Sequence, residues 1–90
     1  MTTLSEPEVT ARLARLPGWE RQGHEIRRTF AFADFKEAMA FVNRVADLAE
    51  GMDHHPDIDI RYSKVTLALT THDAGGLTAL DFDLAEKAGA

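Results

Sequence analysis

Apolar positions along this chain recur at two periods, one helical and one extended, and the changes between them mark out the elements. Val9, Leu13 and Leu16 follow Ser5-Glu6-Pro7-Glu8 at helical spacing. Ser5 suits an N-cap, Glu8 closes a capping box, and Leu4 with Val9 forms a hydrophobic staple. Pro17-Gly18 ends this first helix. Two extended runs come next, Trp19 to Gln22 and Glu25 to Phe32, joined by Gly23-His24 as the turn of a β-hairpin. Ile26, Phe30 and Phe32 share one face of the second run, with Arg28 as an exception.

Asp34-Phe35-Lys36-Glu37 starts a second helix that runs to about Gly51. Phe35, Ala38, Met39, Val42, Val45, Ala46, Ala49 and Met52 cover one face, and Phe41 and Leu48 widen it at one margin. That extra width fits equally a core shared with a neighbouring helix and contact with another subunit. From Asp57 to Tyr62 the pattern alternates, with Ile58, Ile60 and Tyr62 expected inward. Ser63-Lys64 turns the chain into a last strand, Val65 to Thr71, in which Val65, Leu67 and Leu69 point inward and Thr70 and His72 outward. Gly75-Gly76 breaks it, and Thr78 to Asp81 caps a third helix with Leu77 and Phe82 as its staple. The order is α-β-β-α-β-β-α. It predicts an α+β fold, a four-stranded antiparallel sheet with three helices packed on one face.

Composition narrows the chemistry. At 90 residues the chain is read as one domain, small enough that oligomerisation is plausible. A formal charge of −5 with scattered Lys and Arg argues against neutralising nucleic-acid phosphates. There is no cysteine, hence no disulfide, thiolate metal site or cysteine nucleophile. Neither a signal peptide nor an apolar run of about 20 residues is present, so a cytoplasmic protein with no membrane partner is expected.

Three of the four histidines fall between Glu50 and Asp81. His54 and His55 follow the second helix and precede Pro56, which stiffens them. The last hairpin returns His72 toward the same rim, with Glu50 and Asp57 nearby. Imidazole exchanges a proton near neutral pH, so general acid–base catalysis is one reading. A metal site ranks below it, because the adjacent histidines lack helical i, i+4 spacing and no His-Glu-x-x-His occurs. On the residue types alone, incidental histidines on an oligomerising scaffold or binding partner stand first and catalysis second. His24, at a loop tip, is read as solvated.

The wider constellation changes that order. Glu50-x-x-x-His54-His55-Pro56, then Tyr62, His72 and Asp81 at their spacings, closely resembles the signature of the pterin-4a-carbinolamine dehydratases, over nearly the whole chain. The resemblance implies removal of water from a 4a-hydroxytetrahydropterin, giving a quinonoid dihydropterin, with no metal or organic cofactor. It maps His54, His55 and His72 to the active-site histidines, with His54 and His72 as acid and base and His55 orienting the substrate. Glu50, Asp53, Pro56 and Asp57 are then expected around the bound pterin. Tyr62 and Asp81 are read as structural, a core neighbour and a capping residue. The family further implies a homodimer or homotetramer and a functional link to an aromatic amino-acid hydroxylase. Some relatives instead serve as dimerisation partners of a transcription factor, which no residue here indicates.

Overall fold

Each helix begins where a side chain can satisfy N–H groups that the first turn leaves free. In the computed structural model, which describes residues 2–89, helix α1 (Glu6–Leu13) is capped by Ser5. The Ser5 side chain accepts from the Glu8 N–H, and the Glu8 carboxylate accepts from the Ser5 N–H and hydroxyl. Its hydrogen bond with Ser5 holds the Glu8 carboxyl below the usual carboxylate range. The helix stops before Leu16 because the Arg15 and Leu16 N–H groups bond to carbonyls three residues back, tightening the chain into turns. Leu16 still packs on the core.

Strand β1 (Glu20–Gln22) and strand β2 (Glu25–Ala31) pair across the Gly23-His24 turn, where Gly23 takes a φ of 60° that a glycine adopts without strain. Helix α2 (Phe35–Met52) is capped by Asp34, which accepts from the Glu37 N–H at 2.8 Å. The Glu37 carboxylate reaches back to Ala33, one residue before the cap. Strand β3 (Asp57–Arg61), strand β4 (Lys64–Leu69), a 3-10 turn (His72–Ala74) and helix α3 (Ala79–Gly89) complete the chain. The sheet order is β1-β2-β4-β3, antiparallel throughout, so the expected α+β arrangement and element order hold.

The core lies between one sheet face and the helices. Ile26, Val65, Leu67 and Leu69 meet Val9 of α1, Ala38, Phe41, Val45 and Ala49 of α2, and Phe82, Leu84, Ala85 and Ala88 of α3. Phe41 packs on Phe30 and Phe32 at ring-centroid distances of 4.5 and 5.1 Å, and Trp19 meets the edge of Phe30. The opposite sheet face is polar, with the Thr29 and Thr66 hydroxyls hydrogen-bonded across β2 and β4 at 2.8 Å.

Three expectations need correction. The buried stripe of α2 is Ala38, Phe41, Val45 and Ala49, while Phe35 is 48 % exposed and Ala46 faces outward. Packing on α3 rotates the helix toward what the periodicity made a margin. Phe41 is thus a core residue, and Leu48 is partly buried against the same core. Next, Ile58 and Ile60 pair with Leu67 and Val65 and share their face, yet they are 36 % and 38 % exposed. Strand β3 is an edge, and α2 packs mainly over β4, its neighbour in the sheet. Finally, Tyr62 belongs to the Tyr62-Ser63 turn, with φ 52° and 68 % exposure, not to the core beside the isoleucines. A two-residue hairpin of strongly twisted strands calls for a left-handed backbone, and that demand overrides the alternation.

Candidate active site

The end of α2 delivers the two adjacent histidines to different surroundings. Asp53 adopts a left-handed conformation, φ 49°, and the His54 N–H bonds to the Ala49 carbonyl at 3.0 Å, so the chain reverses at once. His54 therefore turns inward, toward the N-terminus of α3, and is buried. Its Nε2 lies 2.6 Å from Oδ1 of Asp81, a carboxylate with 0 % exposure.

Asp81 is the centre of a closed hydrogen-bond network. Its Oδ2 accepts from the Thr78 N–H and from the Thr71 hydroxyl, both at 2.9 Å. Since the Thr71 proton is used there, the Thr78 hydroxyl donates to Thr71 Oγ1 at 2.8 Å and accepts from the Leu80 N–H. A carboxylate oxygen only accepts, so the His54 proton sits on Nε2, and in the neutral ring Nδ1 keeps its lone pair. Removing any one donor would leave a buried acceptor short of a partner, which is expensive away from water.

His55 points the other way. It is largely exposed and hydrogen-bonds to the Glu50 carboxylate, itself on the surface of the last turns of α2. The Glu50 side chain is well exposed and faces His55, five residues on. Pro56 is half-buried behind the pair, and Asp53 and Asp57 are exposed on either side of it.

His72 opens the 3-10 turn after β4 instead of extending that strand. The Thr71 N–H bonds to the Gly76 carbonyl at 3.0 Å, closing a small loop that holds His72 outward. There it lines a hollow of about 350 Å³ together with Gln22, His24, Glu25, Thr70, Gly75 and Gly76. Neither His54 nor His55 lines this hollow. The connection from His54 to His72 runs instead through Asp81 and the Thr71 hydroxyl, one residue before His72. Larger hollows, of about 490 Å³ on the polar sheet face and 440 Å³ between α1 and α3, contain no histidine, so size alone does not locate the chemistry. Among the described residues no three His, Cys, Asp or Glu side chains are grouped to hold a metal ion.

Two residues acquire importance that their sequence positions conceal. Asp81 reads as a capping residue and does accept from Thr78, but it spends its other oxygen on His54. His24 reads as a loop tip, and it lines the same hollow as His72. The available signal for Asp81 was its place between Leu80 and Phe82 at the start of an apolar helix, where a carboxylate with only one partner would be costly.

Residues 2–90 match the family model described as pterin 4 alpha carbinolamine dehydratase. A protein of Roseiflexus sp. (strain RS-1), which bears the provisional name pterin-4-alpha-carbinolamine dehydratase, is 64% identical over 96% of this chain and 92% of its own. The crystal structure of a transcriptional coactivator/pterin dehydratase from Brucella melitensis superimposes with a TM-score of 0.94 at 37% identity, covering 98% of this chain and 96% of that one. A pterin dehydratase-like protein described as a RuBisCO assembly factor in the alpha-carboxysome shares the fold, with a TM-score of 0.67 at 24% identity over 79% of this chain and 84% of its own.

Proposed function

This chain belongs to the pterin 4 alpha carbinolamine dehydratase family, and from that membership we propose that it eliminates water from a 4a-hydroxytetrahydropterin by histidine acid–base catalysis. The reaction breaks the C4a–O bond and forms the C4a–N5 double bond. The hydroxyl must gain a proton to leave as water, and N5 must lose one. No atom changes hands with an oxidant or reductant, and imidazole suits both transfers.

The observation that carries this reading is the buried His54–Asp81 pair. With Nε2–H committed to the carboxylate, His54 can take the N5 proton at Nδ1, and Asp81 steadies the imidazolium that results. His72, exposed on its rigid loop, is assigned the acid that protonates the departing hydroxyl. His55, held by Glu50, orients the pterin at the rim, and Asp53, Pro56 and Asp57 shape the wall beside it. The substrate would be supplied by an enzyme that hydroxylates a tetrahydropterin at C4a, as pterin-dependent aromatic amino-acid hydroxylases do. A stopped-flow absorbance assay of dehydration, with chelator present, tests the assignment. Wild type should accelerate the reaction, and His54→Ala should lose about 10²-fold or more of that acceleration. Wild type indistinguishable from buffer would remove the proposal.

A second reading, self-association for scaffolding or partner binding, is supported by the uncovered β3 edge with Ile58 and Ile60 half open beside it. An unpaired antiparallel edge flanked by apolar side chains invites pairing with another copy. Sedimentation should then give a dimer or larger for wild type and a monomer for an Ile58→Lys, Ile60→Lys double variant. A monomeric wild type would dismiss this reading.

A further inference from the structure

His72 sits on a loop whose entry, interior and exit are tied to different parts of the chain. At the entry, Thr70 Oγ1 donates to the His24 main-chain carbonyl at 2.5 Å, which fastens the loop to the β1–β2 turn. Inside, the Thr71 carbonyl accepts from the Ala74, Gly75 and Gly76 N–H groups, and the Thr71 hydroxyl donates to Asp81. The exit is tied by a segment that the proposed chemistry does not use. Just before α1, the Leu4 N–H donates to the Leu77 carbonyl at 2.9 Å.

The same segment packs on the loop through its side chains. Leu77 is buried, and Leu4 is partly buried against the core. At Gly76 the fit is close: a Cβ there would stand 3.2 Å from Thr3 Cγ2, inside the distance at which carbon atoms ordinarily pack. Two residues after Leu4, Glu6 pairs with Arg21, whose Nε donates to the Gly23 carbonyl at 2.9 Å. The segment therefore holds the loop directly and reaches the turn that the loop rests on. His72, Asp73 and Gly75 are exposed, so the loop buries little of itself, and its anchors rather than its own packing set where His72 stands.

We propose that Thr3 and Leu4 are positioning residues for His72. They hold the exit of its loop, as Asp81 and the His24 carbonyl hold the interior and the entry, and an acid displaced by about 1 Å loses much of its effect. This rests on the dehydratase reading for what His72 does, and is independent of that reading for where His72 stands.

The test reads position and turnover separately. Leu4→Pro removes the donor and keeps an apolar side chain. In the ligand-free protein, amide hydrogen exchange at Ala74, Gly75 and Gly76 should quicken by roughly 5-fold or more, with the β2–β4 ladder unchanged. The His72 ring resonances should shift while those of His54 stay, and kcat for dehydration should fall about 10-fold or more. Gly76→Ala gives a second route, because it sets a methyl group against Thr3, and Thr3→Ala in the same chain removes that pressure. The single variant should repeat the changes in exchange and kcat, and the double variant should recover most of both. Exchange that rises equally over the whole sheet overturns the inference, and so does a loop unmoved in exchange and in its His72 resonances. A loosened loop with kcat intact, or a Gly76→Ala defect that Thr3→Ala leaves in place, overturns it as well. If exchange and the His72 resonances respond as stated but wild type does not accelerate dehydration, the dehydratase reading falls and the placement of His72 by Thr3 and Leu4 stands.

Discussion

His54 and His55 are neighbours of one residue type, each bonded to a carboxylate, yet they sit in opposite physical regimes. His54 and Asp81 are enclosed, and every oxygen of that carboxylate is committed to a donor from α2's exit, β4's extension or the start of α3. His55 and Glu50 meet in water on the outside of one helix end. The first pair can therefore hold a tautomer and a ring orientation, because no solvent competes for its hydrogen bonds. The second can hold little more than a preferred rotamer, since exposed ion pairs are typically worth no more than about 1 kcal/mol. Burial, not residue type, separates a positioned base from an adaptable rim contact.

Substitutions at the carboxylates break or sharpen this contrast. Asp81→Ala should have the largest effect, about 3 kcal/mol or more in urea unfolding, because it strands His54, Thr71 and the Thr78 N–H together. A loss below about 1 kcal/mol would mean that water fills the gap and that the enclosed network is not what holds His54. Asp81→Asn should keep more of the fold and still depress kcat, since an amide no longer balances a charged imidazole. Thr71→Val comes next, with a loss of about 1–2 kcal/mol, because it removes the hydroxyl linking Thr78 to Asp81 while keeping the shape. Little change in either stability or rate would show that Asp81 is held by Thr78 and His54 without it. Glu50→Gln should be smallest, under about 1 kcal/mol and further reduced in high salt. Should it instead match Asp81→Asn in its effect on kcat, the two histidines would be equivalent and the contrast would be lost.

The legible parts of the chain were those decided within a few residues. Ser5 with Glu8, Asp34 with Glu37, and Thr78 with Asp81 all engage as hydrogen-bonded caps, and Gly23 turns the first hairpin where expected. The candidate site was legible as a set of residue types, His54, His55, His72 and Glu50, but not as a geometry. Periodicity could not tell that Phe41 would face inward and Phe35 outward, because both lie on an apolar arc broader than the space above the sheet. Alternation could not tell that Ile58 and Ile60 would lie on an edge, because it reports which face a side chain takes and not whether a helix covers it. The rim of three imidazoles resolves into an enclosed ring, a solvated ring and a ring across a hollow from His24.

Helix starts, the Gly23 turn, the order α-β-β-α-β-β-α and the lack of any thiol follow from this sequence by itself, since caps, glycine turns and side-chain inventories depend on neighbours within about four positions. Tertiary structure alone decided that β3 would be an edge, that α2 would turn Phe41 toward β2, that Asp81 would meet His54, and that His24 would face His72. Each of those pairings joins residues far apart in the chain, and their energy exists only once burial excludes the water that would otherwise serve each group separately.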